Sequence, residues 1–503
     1  ASQGVLPGYN FPRLPLLAWL PNTTEEKNDA TSLSRSRFLA LSEFGPRSLI
    51  YHQGKVFRVV KAKLNASTAY AMADGSTQLS TIDLIICDQC GYGIMEAGFT
   101  EAVERCPGCN ALITESMRIN SLYKIETVET RLVERITMND EERRRMGYDL
   151  QTSYRFSGKD GGQAVVSTVK LHEEVLGNLI YAQAATVSKI NKGWKRRAKK
   201  EVMGFLIDPL SGFWSKADDE DQDEQNAETP VTNNVKPQRI VPFVEDIKNI
   251  LVFAPGGEVS KETMTTLQAA LKRGIEQVFQ IEEAELAVEP LPSSDNRKRI
   301  LFYEAVEGGA GVLNRLADEP KALSMVADQA LRIMHYKRQG PAWDVDTMTE
   351  ELDEQGHAFC EAGCYRCLLS YYNQPEHVDI DRRDPDAIKI LVALANGSVE
   401  RCAQEPEGGM SGLQARFIET LKERNLPIPD RSNVPLKSGG TLPLVYSKYR
   451  TAVVFGEACD EVVEYCADRA FTVLDVGPDE DMWDRILTQS HGIFDEQGVG
   501  DNE

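Results

Sequence analysis

The hydrophobic and polar positions of this chain change period from one end to the other. Ser48 to His52 and Lys55 to Lys63 carry β-branched and aromatic residues on either side of Gln53-Gly54, which is the spacing of a tight hairpin. Ser121 to Ser157 keeps a strand-like pattern, broken by NDEERRRMGYDLQT; residues 162–172 and 179–190 predict further strands, or a strand and a helix. Val241 to Phe253 predicts an apolar strand pair, after which the period lengthens. Met264, Leu267, Leu271, Ile275 and Val278 fall on one face of a helix that Ser260 can cap. Arg299 to Val306 predicts a short buried strand, and Leu323, Val326, Ala327, Ala330, Leu331 and Met334 form a second helical stripe after Pro320. Asp384 and Pro385 suit the start of another helix, ending before Gly397. Leu413 to Leu421 and Met482 to Leu487 predict helices, with Ala452 to Phe455 and Phe471 to Val476 as strands between them. The chain thus predicts an α/β and α+β multidomain fold, with a β-rich N-terminal half, a central α/β domain and a C-terminal α/β domain.

Where the periodicity fails, the breaks mark boundaries. Pro7, Pro12, Pro15 and Pro21 forbid a long helix, so residues 1–36 predict an extended connector arm that lays Phe11, Leu14, Leu16, Leu17 and Trp19 on another surface. Residues 217–228, ADDEDQDEQNAE, have no apolar face to bury and predict a disordered linker over 217–237. The expected domains are therefore 37–216, 238–405 and 406–490, followed by a disordered tail over 491–503. A length of 503 residues fits about three domains.

Cysteine spacing adds chemistry. Cys87-Asp88-Gln89-Cys90 and Cys106-Pro107-Gly108-Cys109 are two matched CxxC knuckles with fifteen residues between them, which predicts a zinc ribbon over 81–112. A redox pair of the thioredoxin type would need one CxxC opening a helix in a βαβ unit. Cys360, Cys364 and Cys367 bring three more thiols to one turn, with His377 as candidate fourth ligand and His357 as the nearest substitute. The alternative is three buried thiols, with His377 capping Asp379 to Asp381. Seven of ten cysteines in two such groups suit reduced, metal-bound thiols, so two zinc ions and a soluble cytoplasmic protein are expected. The sequence has no apolar run of membrane-spanning length.

A formal charge of −21 argues at first sight against nucleic acid. Screening limits each charge to about 8 Å at physiological salt, however, so local clusters decide. Lys189, Lys192, Lys195, Arg196, Arg197, Lys199 and Lys200 stand within residues 189–200 without an acid among them, and Trp194 lies in their midst as a stacking face. These residues are the candidate DNA contact; pairing of the lysines with the acidic segment is the competing account. Arg143, Arg144 and Arg145 fit an exposed charge ladder with Glu141 and Glu142 better than a phosphate contact. Glu307-Gly308-Gly309-Ala310-Gly311 lacks the GK[ST] ending of a nucleotide-hydrolysing loop, so close helix–strand packing is the better reading.

The order strand, GGAG, amphipathic helix, CxxxCxxC, NQxxH and DRR resembles the helicase-associated domain of unknown function found fused to, or beside, superfamily 2 helicases. LPGYNFPR, ITMNDEERRRMGYDLQT, INKGWKRR and GFLIDPLSGFW extend the resemblance over most of residues 1–395, nearest to the DrmB group of helicase-partner subunits in the DISARM phage-defence system. The resemblance implies a bacterial subunit without catalytic activity that pairs with a separate helicase and helps it engage DNA, alongside a DNA methyltransferase of the same system. The C-terminal segment is similar to small restriction-endonuclease-like folds, whose nucleases need carboxylates and a lysine at one strand edge. Pro443-Leu444 stands where an acid is expected and Glu457 is alone, which predicts a degenerate fold; a metal-dependent DNA nuclease acting from this domain is the alternative function.

Overall fold

The computed structural model describes residues 15–21, 31–64, 69–71, 77–95, 105–113, 116–133, 147–156, 164–215, 236–306, 309, 311–401, 412–424, 426–429, 431–435, 441–446, 449–455 and 469–477, with scattered positions from 462 to 487. Residues 1–402 form one compact unit and 403–503 another. The fold is β-rich, with few helices and mixed sheets.

Two unusually long strands, Glu174–Trp194 and Gln238–Pro255, pair antiparallel from Gly177↔Pro255 to Ile190↔Phe243. Apolar positions on both faces, such as Leu179, Val187, Ile190, Val244 and Phe253, are fully buried, as expected of a central strand covered on two sides. The register shifts between Ala182 and Ala185, where Ala184 takes φ 59°, a bulge that increases the local twist. An eleven-stranded sheet grows outward from this pair. Tyr148–Arg155 and Ala164–Leu171 add to the first strand; Phe205–Ile207, Met117–Lys124 and Arg297–Glu304 add to the second.

This sheet corrects the expected domain layout. Phe205–Ile207 pairs with Gln238–Ile240 across the acidic segment, so 37–216 and 238–405 share one sheet and are not separate bodies. Residues 217–228 lie outside the described residues, as do Arg143, Arg144, Arg145, Cys402, Glu457 and the tail after His491. The N-terminal arm is likewise no mere connector. Leu16–Trp19 is a strand of a second, five-stranded sheet, parallel to Thr127–Val133 and antiparallel to Ser32–Arg35, with Leu16 and Ala18 in the core. Phe11 and Leu14 lie outside the described residues.

The helical stripes pack as their period predicts. Met264, Leu267, Leu271 and Ile275 of helix Lys261–Phe279 share one core with Val326, Ala330 and Leu331 of helix Ala322–Ile333 and Leu391 of helix Pro385–Asn396. Ser260 Oγ accepts from Thr263 N–H at 3.1 Å, and Asp384 Oδ1 accepts from Asp386 and Ala387 N–H, so both predicted caps form. The glycine-run helix, Val312–Asp318, is capped differently: buried Glu304 accepts from Val312 N–H at 2.9 Å and from Leu313 N–H at 3.3 Å. An internal carboxylate therefore fills the place a phosphate would take.

The second unit holds a four-stranded sheet in the order 431–435, 441–446, 451–454, 472–475; its first three strands are antiparallel and the last is parallel to the third. Helix Gly412–Glu423 gives Phe417 and Leu421 to a core with Leu444, Val453 and Trp483. The first two strands escape the sequence reading because Pro435 and Pro443 interrupt their pattern. Among the described residues no helix is long and apolar enough to cross a membrane.

Gly212 provides a test of how tightly the two sheets of the first unit are joined. It lies at φ 79°, its carbonyl accepts from Ala62 N–H at 2.9 Å, and a Cβ there would meet Ala62 O at 2.1 Å. Gly212→Ala is expected to lower unfolding stability by roughly 3 kcal/mol. Gly54→Ala, at φ 73° with open space around it, is expected to cost about 1 kcal/mol. Urea denaturation of the two variants checks the difference.

Candidate metal centres

Each knuckle of the first cysteine group closes through a matched pair of backbone hydrogen bonds. Cys87 N–H donates to Tyr92 O and Gly91 N–H to Cys87 O; Cys106 N–H donates to Ala111 O and Asn110 N–H to Cys106 O. Gly91 and Asn110 take φ 78° and 58°, the left-handed turn that brings each pair of sulfurs back together. The Sγ atoms of Cys87 and Cys109 stand 3.6 Å apart and those of Cys90 and Cys106 3.5 Å apart, with all four ligand atoms within 4.8 Å of one another. A tetrahedral zinc with Zn–S of about 2.3 Å needs edges of about 3.8 Å, so the group fits. Hydrogen bonds from Cys106 draw Cys87 far below the ordinary thiol value and Cys109 to about 7, while Cys90 and Cys106 are pushed up by their own thiol partners.

The second group assembles differently from the sequence reading. Cys360 and Cys367 stand 3.8 Å apart, and the fourth ligand atom is Nε2 of His335, 3.7 Å from Cys364 Sγ. His377 is not part of it. Its Nε2 lies 2.9 Å from Asn373 Oδ1 and 3.1 Å from Ser370 O, knitting the 370–377 turn instead. His357, 78% exposed, lies beside Asp353. His335 follows helix Ala322–Ile333 at φ 66°, and its ring stacks on Phe359 at 4.9 Å. Burial first, and the Arg382 guanidinium second, hold its imidazole below the ordinary value, which favours the neutral form that binds metal. The two tetrads fit two zinc ions, held by Cys87, Cys90, Cys106 and Cys109 and by His335, Cys360, Cys364 and Cys367.

Two arginines support the second tetrad from outside. Arg382, with no exposed surface, donates to Cys360 O, to Met334 O at 3.2 Å and to Glu350 Oε1, so one guanidinium joins the cysteine turn to the residue preceding His335. Arg273 of helix Lys261–Phe279 donates to Cys367 O at 3.1 Å and to Tyr365 O at 3.3 Å. Such outer-shell contacts fix the orientation of the ligands. The sequence holds a sign of His335: it directly follows the apolar stripe that must pack beneath the cysteine turn.

The basic segment is partly absorbed by the fold. Lys189 pairs with Glu289, and although burial works against its charge, Glu289 outweighs that effect and keeps the ammonium protonated. Lys192 and Arg197 both reach Asp149, at 3.2 and 2.9 Å. Trp194 stacks one face on Tyr148 at 4.5 Å and packs against the core, so that face is closed to a base. Lys195, Arg196, Lys199 and Lys200 are exposed.

Residues 267–368 match the MrfA Zn-binding domain. His335, Cys360, Cys364 and Cys367 all fall inside the match, and His377 falls outside it. Among solved structures, the DUF1998 helicase MrfA bound to DNA is similar at 10% identity and a TM-score of 0.34, over 75% of this chain and 33% of that one. The same helicase without DNA gives 10% identity and a TM-score of 0.27, over 70% and 32%. The chain spans about a third of the length of these structures. No curated protein matches significantly.

Metal analysis of protein purified without chelator is expected to return two zinc ions per chain, falling to about one in His335→Ala and staying at two in His377→Ala. Replacement of Arg382 by Met should cost about 3 kcal/mol, because it leaves Glu350 without its buried partner and two carbonyls without a donor. Thermal unfolding of the zinc-loaded protein measures that loss.

Proposed function

We propose that this chain is a zinc-containing, non-catalytic subunit that pairs with a superfamily 2 DNA helicase and helps it hold DNA. The observation that carries the reading is the match of residues 267–368 to a zinc-binding domain named for a helicase, with a complete ligand set inside it. The solved helicase MrfA is described as bound to DNA, and the exposed cations Lys195, Lys199 and Lys200 offer phosphate contacts here. The motif order read from the sequence supports the finer assignment to a DrmB-type subunit in bacterial anti-phage defence, working beside a DNA methyltransferase of the same system. The capping of helix Val312–Asp318 by Glu304 supports the absence of a nucleotide site at the glycine run.

A second reading, a nuclease acting from the C-terminal unit, draws on the order of one helix, three antiparallel strands and a parallel fourth. Magnesium-dependent cleavage of labelled DNA, abolished by Glu457→Ala, would establish it in place of the first.

Co-expression with a superfamily 2 helicase of a DISARM system tests the first reading. The two chains are expected to co-purify, and the complex to bind DNA more tightly than the helicase alone. Replacing Lys195, Lys199 and Lys200 by Ala should make the salt dependence of that binding shallower by about one unit per lost contact. Lys192→Ala should instead lower stability, because it breaks the pair with Asp149. Failure to co-purify, or an unchanged salt slope, would defeat the partner assignment or the DNA contact respectively.

A further inference from the structure

Exposed aromatic side chains concentrate around the second metal centre. Tyr365, between Cys364 and Cys367, is 62% exposed; Tyr371 and Tyr372, 76% and 68% exposed, lie just past the ligands in the turn knitted by Asn373 and His377. Tyr372 lines a cleft of about 710 Å³ between helix Lys261–Phe279, strand Leu286–Pro292 and the 368–379 turn. Tyr371 stands edge-on to it at 6.0 Å. The Lys272 ammonium lies 5.8 Å from the Tyr372 ring centre, and Lys195, an exposed member of the basic segment, lines the same cleft. Two regions far apart in sequence, the basic segment and the 368–379 stretch that follows the cysteines, thus face one groove.

We propose that this cleft is a single-stranded nucleic-acid path, with an unpaired base stacking on Tyr372 in the cleft wall, a second on Tyr371 beside it, and phosphates running toward Lys195. The proposal rests on the DNA-binding part of the function proposed above and assigns the form of DNA recognised. A single strand requires π faces and nearby cations, and this groove supplies both. A duplex keeps its bases stacked and cannot use the tyrosine faces. An amphipathic protein helix would have to cover walls that hold four ion pairs: Lys189–Glu289, Lys272–Glu283, Lys261–Asp379 and Arg297–Glu376. These pairs neutralise most of the wall charge internally, so stacking contributes more here than phosphate attraction does. Asn373, which accepts from Ser370 N–H at 2.7 Å and donates to Leu368 O at 2.8 Å, ties the tyrosine-bearing turn to the residue after Cys367 and gives the tyrosines a fixed platform at low entropic cost.

The test compares fluorescence-anisotropy binding of labelled oligothymidine and of a hairpin duplex by the full chain in its zinc-loaded form. Tyr371→Ala with Tyr372→Ala should weaken single-strand binding at least about tenfold with the salt slope unchanged, and leave duplex binding as it was. Tyr371→Phe with Tyr372→Phe should retain single-strand binding, which separates stacking from hydroxyl contacts. Zinc content equal to the parent's shows that the turn is intact. Equal single-strand affinity in the parent and the double-Ala variant would overturn the stacking path while leaving the DNA role in place, as would an equal loss for strand and duplex. No binding of either DNA by the parent would overturn the path and the DNA role together, leaving the helicase association to stand or fall by co-purification.

Discussion

The ladder between Glu174–Trp194 and Gln238–Pro255 is the constraint on which the first unit depends. Its strands lie on opposite sides of the acidic segment, so the chain must bring the ends of that long stretch together before the two can pair with each other. Closing a long loop costs entropy that rises only slowly with length, and this ladder returns a continuous buried surface on both faces. One end of it receives the strands that carry the first cysteine group, through Met117–Lys124 and Ile82–Ile86. The helices of the second group pack on the other part, against Leu179, Leu251 and Phe253.

The two metal centres stand in different relations to that framework. The first is nearly local: each of its knuckles closes by its own backbone hydrogen bonds, and Cys87, Cys90 and Cys106 supply part of the hydrophobic cluster around Tyr92 and Tyr154. The second is tertiary. His335 comes from the end of one helix, the cysteines come from a turn 25 to 32 residues later, and Arg382, further on, bridges the carbonyls of Met334, which precedes His335, and of Cys360. A metal there joins the helical layer to the loop that lies over it, and a buried guanidinium is well suited to the outer role because its planar fork reaches several acceptors at once.

That difference explains what could be read from the chain before folding. The CxxC pairs, the capped helices and the apolar stripes are local patterns, and the structure places them where their spacing indicates. His335 is invisible to spacing alone, because its distance from Cys360 along the chain is set by a hairpin and a loop, Tyr336–Lys337 with Thr349–Glu350, and not by a motif. His377 attracted the assignment by following the cysteines closely, yet Asn373 and Ser370 claim its ring nitrogen. The acidic segment resembles a domain boundary because charge runs break the apolar pattern; the strand pairing that crosses it is a long-range fact. Leu16–Trp19 shows the same limit, since its prolines signal an extended chain but not the parallel partner at Thr127–Val133.

Charge is the property most changed by folding. A chain of net −21 could hold DNA only by concentrating cations, and the basic segment does so in sequence. In three dimensions its lysines divide by position on the strand, while Arg197, past the strand end, turns back to pair with Asp149. Lys189 and Lys192 lie within Glu174–Trp194, where the sheet surrounds them, and Glu289 and Asp149 on neighbouring elements take up their charge. Lys195, Lys199 and Lys200 lie beyond the strand end, in the turn the sheet no longer covers. A cation that must pair to enter the sheet stabilises the fold, whereas one past its edge stays hydrated and able to meet a phosphate. The end of the strand at Trp194, with its ring closed down on Tyr148, therefore divides the paired lysines from the exposed ones, Lys195, Lys199 and Lys200.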